Sequence, residues 1–233
     1  MSAVKVELEF RYRPISAESI EQRHAEIVGN MKHIGPPLGF ADLEIPPAPV
    51  CKGYSASFKI KFPTTGLKGE CMYVNREPRF GMNLDRHRCD DVLIIDFRMS
   101  NKRLDYKSLL HVHCSRVIEA FRGYRLRCFY SDFEYLYQKP SPKYHELMQN
   151  FSLDVNGRNN IFTLYPTQFW DGELCQRALG CDADEVVARL QGQVPKLEPL
   201  MDGVYIVLND DPDLTLEAFI EMNDRFKSVL GLH

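Results

Sequence analysis

Long apolar runs are missing from this sequence, and so is a strong excess of charge of either sign. No run approaches the roughly 18 apolar residues that a membrane-spanning helix needs. The formal net charge of the 233 residues is −3, so bulk electrostatics does not support a nucleic-acid partner. Residues 1–7 are charged early and alternate, whereas a secretory signal has a basic start and an uninterrupted apolar stretch. We therefore expect a cytoplasmic protein that binds neither a membrane nor nucleic acid.

Cysteines at metal-binding or redox spacing are also missing. The chain has seven cysteines, an odd number, and no two have the Cys-x-x-Cys spacing of a zinc or redox site. Most lie in apolar surroundings, where a free cysteine behaves as a small core residue. In a cytoplasm we expect them to be reduced, structural thiols. They are Cys51, Cys71, Cys89, Cys114, Cys128, Cys175 and Cys181.

No catalytic motif can be identified. The sequence has no phosphate loop with Gly-Lys-Ser/Thr, no Gly-x-Ser-x-Gly, no His-Glu-x-x-His and no calcium loop. His111 and His113 are two residues apart on a predicted helix, so their side chains point in opposite directions and cannot grip one ion. Cys114 could touch His111, but it lies in the middle of the apolar face of the predicted helix, where burial would raise the pKa of its thiol. We expect no cofactor, no metal site and no catalytic residue.

Hydrophobic periodicity predicts the elements of secondary structure. Residues 4–12 alternate between apolar and charged, which indicates a strand with one face toward solvent. Ser19 and Gln22 form a capping-box pattern for a helix that reaches about Lys32. Further strands are predicted at 54–62, 71–75, 92–98, 124–130, 161–165 and 204–208, the last as a central strand. Further helices are predicted at 105–122, where Gly123 ends the helix, and at 172–179, 184–190 and 216–230.

The order of these elements shows no regular β-α alternation. Closely spaced strands joined by short turns favour antiparallel pairing. The sequence therefore predicts an α+β fold, with a mainly antiparallel central sheet, helices packed on it, and a single compact domain over residues 1–233. The proline-rich residues 35–53 are predicted to be an extended connection. Residues 131–160 show the weakest pattern, and Pro140 and Pro142 break any long element there.

Charge is polarised along the chain. Residues 76–127 hold twelve basic and seven acidic residues, a net of +5, whereas residues 182–233 hold four basic and eleven acidic residues, a net of −7. The sharpest acidic feature is the run Asp210, Asp211, Pro212, Asp213. It is typical of a turn and a helix amino terminus, where the helix dipole favours carboxylates. It could instead bind a basic partner surface, or supply paired carboxylates for hydrolysis. The partner-binding candidates are Asp210, Asp211, Asp213 and Glu217.

The only tryptophan, Trp170, lies in an aromatic segment over residues 165–171. Such density is typical of a core. On an exposed loop the same residues would form a binding hot spot, so Trp170 joins the partner-binding candidates.

Two stretches resemble a known family. One is Val-Ile-Glu-Ala-Phe at 117–121, which continues through Gly-Tyr at 123–124; the other is Asp-Gly-Val-Tyr-Ile-Val-Leu at 202–208, followed by Phe219, Asn223 and Leu-Gly-Leu at 230–232. Together they resemble immunity proteins of bacterial polymorphic and type VI secretion toxin systems, which are single-domain proteins of about this size. The resemblance implies a protein that is not an enzyme. It implies a monomer that binds one cognate toxin domain in a one-to-one complex, often by covering its active site.

Two alternatives remain open. The chain could be a small cytoplasmic enzyme whose dispersed site draws on Asp210, Asp211, His111 and arginines of the basic half. A cleft with strongly perturbed ionisable groups would favour that reading, and a broad rigid surface would favour a binder. The chain could also be a structural subunit of a larger assembly, which predicts self-association.

Overall fold

A computed structural model describes residues 4–77, 86–99, 101–130 and 132–232, and in it eight strands form one sheet. All seven strand pairings are antiparallel, in the order β2-β3-β4-β1-β5-β6-β8-β7. The predicted α+β class is therefore confirmed. The strands are β1 (Lys5–Tyr12), β2 (Ser55–Lys61), β3 (Lys68–Val74), β4 (Asp91–Arg98), β5 (Arg125–Tyr130), β6 (Thr167–Trp170), β7 (Lys196–Leu200) and β8 (Gly203–Val207).

Helices lie against this sheet. In the first half they are α1 (Ile20–Met31), then α2 (Tyr106–Ser108), which continues through a π-helical turn (Leu109–His113) into α3 (Cys114–Phe121). In the second half they are α4 (Phe133–Gln138), α5 (Pro142–Gln149), α6 (Gly172–Leu179), α7 (Ala183–Leu190) and α8 (Leu216–Leu230). Helix α3 packs on α1 and β1, and α6 and α7 pack on the strands β6 to β8. No helix in the described part of the chain has the length and apolar character that crossing a bilayer requires.

Local signals set the ends of the first helices. The Ser19 hydroxyl accepts from Gln22 N at 3.2 Å and the Gln22 side chain accepts from Ser19 N at 2.9 Å, so the predicted capping box is confirmed. The prediction that Gly123 ends the long helix is wrong by one residue, because Arg122 takes the left-handed conformation with φ 51°. Gly123 follows where the chain passes close to β1, and an added Cβ would lie 3.2 Å from Arg11 O.

No strand forms at 161–165, so that prediction is wrong. Strand β6 begins at Thr167, two residues after this segment ends. The backbone there is hydrogen-bonded to side chains and cannot join a ladder. Phe162 N and Thr163 N both donate to Asn156 Oδ1, and Leu164 N donates to Asn223 Oδ1. Strand β7 was not predicted, since its Pro199 is typical of a loop; proline is tolerated here because β7 is an edge strand.

The prediction that one face of β1 points to solvent is also wrong. Val6, Leu8 and Phe10 are fully buried, as expected, but Glu9 and Arg11 on the opposite face are only 6% and 9% exposed. Because β1 pairs with both β4 and β5, it is a central strand. Its charged face is covered by other side chains and by the turn before β4, since Arg127 donates to Glu9 and Arg11 donates to His87 O at 2.7 Å.

Candidate functional site

A network of charged side chains is buried on the polar face of β1 and β5. Glu9 accepts from Arg11 Nε at 2.6 Å and from Arg127 Nη2 at 2.5 Å. Asp90, just before β4, accepts from Arg158 Nε at 2.7 Å and from Arg11 Nη1 at 3.3 Å. Burial opposes the charge on Glu9, but the two arginines outweigh it and hold the pKa of Glu9 well below its usual range. The network ties two strands to the loop that covers them.

An open cleft of about 730 Å³ lies above this network. Its charged lining comes from the turn at 86–88, from β5, from α4 and from the 154–158 loop, and its apolar lining comes mainly from α5 and the residues after it. We call it the Arg127 cleft. The charged lining residues are Arg86, His87, Arg88, Arg127, Glu134 and Asp154.

His87 and Asp154 form a close pair in this cleft. The Asp154 carboxylate accepts from His87 Nδ1, from His87 N at 2.6 Å and from Arg158 N at 3.1 Å. Burial alone would raise the pKa of Asp154, but these hydrogen bonds lower it to about 2. A carboxylate that orients an imidazole is also part of many general-base sites. Among the hydrogen bonds of the described residues, none joins His87 to a hydroxyl or thiol nucleophile.

Exposed apolar side chains are concentrated in one segment of the chain. Among the described residues, four of the nine exposed large hydrophobic residues fall within residues 135–151. Tyr135 and Leu136 lie on α4, Met148 lies on α5, and Phe151 follows α5 with 88% of its surface exposed. Met148 and Phe151 also line the cleft. We call these four residues the α4–α5 apolar patch.

Three of the predicted acidic residues, Asp210, Asp211 and Asp213, occupy the turn between β8 and α8, and Glu217 lies in the first turn of α8. Asp210 is half-buried, with His111 Nε2 at 3.1 Å and Lys107 Nζ at 3.5 Å. Asp211, Asp213 and Glu217 are exposed. Asp211 Oδ1 accepts from Asp213 N, as in an ordinary Asx turn. The structure thus brings Asp210 and His111 together. Among the hydrogen bonds of the described residues, none joins Asp211 to Asp210 or to His111.

Trp170 cannot contact a partner in this conformation, and its assignment to a binding surface is corrected. It lies on β6, is fully buried, and belongs to the hydrophobic core. The strand alternates between two covered faces, so an aromatic side chain on either face enters the interior.

The basic segment, residues 76–127, presents less positive charge at the surface than its net charge of +5 suggests. Arg125 and Arg127 are buried, and Arg76 forms an ion pair with Asp91 at 2.6 Å. Several charges of this segment therefore act inside the fold. The network residues Glu9, Asp90, Asp154 and Arg158 were not identified from the sequence, although the matched charged faces of residues 4–12 and 124–130 were a signal for part of it.

The thiols and histidines show no further chemistry. All seven cysteines are free, and burial raises the pKa of the Cys114 thiol. Within the described ranges, no group of three or more histidine, cysteine or acidic side chains is placed to hold a metal ion.

Comparisons with known proteins give a likeness in structure and none in sequence. Neither a scan against models of protein families nor a search among curated proteins gives a match. Among solved structures, the chain is similar to the Pseudomonas aeruginosa T6SS protein PA0821, with 11% sequence identity and a TM-score of 0.47. The match covers 98% of this chain and 75% of that chain. A likeness at this level does not show a shared family or activity.

Proposed function

We propose that this chain is an immunity protein that binds one cognate secreted toxin domain and covers its active site. The observation that carries the proposal is the α4–α5 apolar patch, with Phe151 at its most exposed point. A concentration of exposed apolar side chains on a folded protein is typical of a protein-binding site, and aromatic residues are enriched among the residues that carry the binding energy of such sites. The sequence resemblance to immunity proteins supports the same function.

The acidic turn adds a charged region to this surface. The Asp211 carboxylate lies close enough to Tyr130 to contribute to raising its pKa, although burial is the larger cause. Tyr130 stacks on Phe133, at the start of α4, with ring centroids 5.3 Å apart. The acidic turn and the helix that carries Tyr135 and Leu136 are therefore neighbours. A toxin that acts on nucleic acid or nucleotides has a basic active site, which the exposed carboxylates of the turn would attract.

The first test is co-purification of the tagged chain with the product of the adjacent gene, at low and at high salt. We expect a one-to-one complex and rescue of growth when the neighbour is expressed. Phe151→Ala combined with Met148→Ala should weaken the complex by about tenfold or more, because truncated hot-spot side chains cost about 2 kcal/mol or more. Val50→Ala is the matched control, since Val50 is 78% exposed outside the patch. Equal affinities for the double variant and the control would reject the patch as the interface.

The acidic turn is tested separately. Reversing Asp210 and Asp211 to lysine should weaken binding sharply. Because Asp210 also bonds His111, the pair Asp211→Lys and Asp213→Lys is the cleaner change. Long-range attraction acts mainly on the association rate and weakens with salt. If neither this variant nor added salt changes the association rate, the acidic turn is not part of the interface.

A second candidate function is an enzyme that uses the Arg127 cleft. The His87–Asp154 pair favours it, since a perturbed carboxylate beside an imidazole is typical of catalytic sites. Substrate screening tests it: His87→Ala should abolish any activity found and leave toxin binding intact. The third reading, a structural subunit, predicts self-association in sedimentation measurements of the purified chain.

A further inference from the structure

Arg125 is a fully buried cation with no counter-ion among the described residues. Its Nη1 donates to Gly157 O at 2.5 Å, whereas its Nε and Nη2 have no hydrogen-bond partner. The closest charges in the network make its position worse, because Arg127 and Arg11 are also positive. An unpaired buried charge is among the most costly features a fold can hold. Something has to compensate this guanidinium.

Two further donors without partners lie beside Arg125. Gln168 and Trp170 are fully buried on β6, and neither Gln168 Nε2 nor Trp170 Nε1 has an acceptor among the described residues. Trp170 is directly opposite Arg125 in the strand register, and Gln168 is opposite Arg127, so all of these side chains leave the sheet on one face. Gln168 Oε1 already accepts from Tyr165 N, which leaves the amide nitrogen as the free end.

The charge balance of this region is positive. Glu9 and Asp90 form ion pairs with arginines of this face, and Glu134 lies close enough to Arg127 to raise its pKa, so three carboxylates stand against four arginines. Tyr124 and Tyr165 remain neutral, because burial raises the pKa of both phenols. The four arginines are Arg11, Arg125, Arg127 and Arg158.

We propose that Arg125, Gln168 and Trp170 form a buried site for a small inorganic anion. The four unpartnered nitrogen atoms are all donors, and an anion accepts from several donors at once while it neutralises the guanidinium. A water molecule is a poorer occupant, since it must also donate hydrogen bonds, and the one acceptor atom on these three side chains, Gln168 Oε1, already accepts from Tyr165 N. The site is independent of the proposed function, because the α4–α5 apolar patch contributes no residue to it.

The chain contains its own reporter for this site, because Trp170 is the only tryptophan. Chloride is the probe, titrated as sodium chloride against sodium gluconate at constant ionic strength. We expect a saturable change in tryptophan fluorescence and a rise in Tm with chloride, since a ligand of the folded state stabilises it by mass action. Bromide should also give an anomalous scattering peak beside Arg125 in a crystal.

Variants connect the response to these residues. Gln168→Leu should weaken the chloride response by about tenfold, the value of one charge-assisted hydrogen bond. Arg125→Met should abolish it, and the exposed Arg116→Met is the matched control. If Arg125→Met does not fold, Trp170→Phe with Tm as the readout takes its place and should reduce the response as Gln168→Leu does. Equal responses to chloride and gluconate, or density for water alone without a bromide peak, would overturn the proposal.

Discussion

Glu9 and Arg127 lie directly opposite each other on β1 and β5, and they form an ion pair in which both side chains are at most one-tenth exposed. Arg127 Nε and Nη2 both donate to Glu9 Oε1, at 2.8 and 2.5 Å. The pair joins two neighbouring central strands, and Arg11 donates to the same Glu9 oxygen at 2.6 Å. Its value therefore lies in the compensation of each partner by the other.

Removal of one partner should be strongly destabilising. Glu9→Gln leaves Arg127 without its ion-pair carboxylate and leaves Arg11 with Asp90 alone, and breaking a buried pair in this way costs about 3–5 kcal/mol of the free energy of unfolding. Urea denaturation of the purified chain measures the change. Glu146→Gln is the control: its partner Lys143 is 3.1 Å away on an exposed helix face, and such a pair contributes about 1 kcal/mol or less. Similar losses in the two variants would contradict the importance of burial.

Asp154 should make stability fall in acid. The pKa of its carboxyl is lowered from the ordinary 3.8 to about 2 in the folded chain, so the folded state binds this proton less readily than the unfolded state. Its contribution is therefore complete above 3.8 and is lost as the pH falls from 3.8 toward 2. Asp154→Asn should flatten the pH dependence of the unfolding midpoint in that window. The exposed Asp213→Asn should leave it as steep as in the parent, and a flat parent profile would refute the role of Asp154.

His24 should also make stability fall as the pH decreases, in a pH range above that of Asp154. Its Nε2 is 2.9 Å from Pro46 O, so that nitrogen donates, and Nδ1 accepts from the Tyr73 hydroxyl at 3.0 Å. Burial lowers the pKa of His24 below the ordinary 6.5, so the unfolded state takes up a proton that the folded state resists. Stability should fall as the pH drops below 6.5. His24→Gln should lose less Tm than the parent between about pH 8 and pH 5. The exposed His145→Gln serves as control, and a loss in His24→Gln as large as in the parent would disprove this account.

Asn223 should be essential for the segment before β6. Its side chain accepts from Leu164 N at 2.8 Å and donates to Leu164 O at 3.0 Å, which replaces a strand partner for that residue. Asn223→Leu would leave two buried backbone groups unpaired, at about 1–3 kcal/mol each. We expect a large loss of Tm and faster hydrogen exchange at residues 161–165. Gln149→Leu, on an exposed position of α5, is the comparison, and unchanged exchange in Asn223→Leu would disprove this role.

Much of the secondary structure follows from local sequence signals. The alternation of residues 4–12 and the Ser19 and Gln22 capping pair need only their own neighbours, so strand and helix ends agree with the structure to within a residue or two. Helix α8 begins and ends where its apolar spacing predicts, and the structure ends it at Gly231, which has a left-handed conformation. The signals failed at 161–165, because the groups that bind this backbone, Asn156 and Asn223, come from other parts of the chain.

The sequence by itself determined the α+β class, the antiparallel pairing and the acidic turn, because periodicity, short turns and local charge act over a few residues. Only the tertiary structure decided where charge and aromatic surface are exposed. The same alternation that predicts a strand is found whether its polar face meets water or a covering loop, so Arg125 and Glu9 became interior residues and Trp170 became core. Phe151 became the most exposed of the described large hydrophobic residues for the same reason, since burial depends on which distant segments pack over a residue.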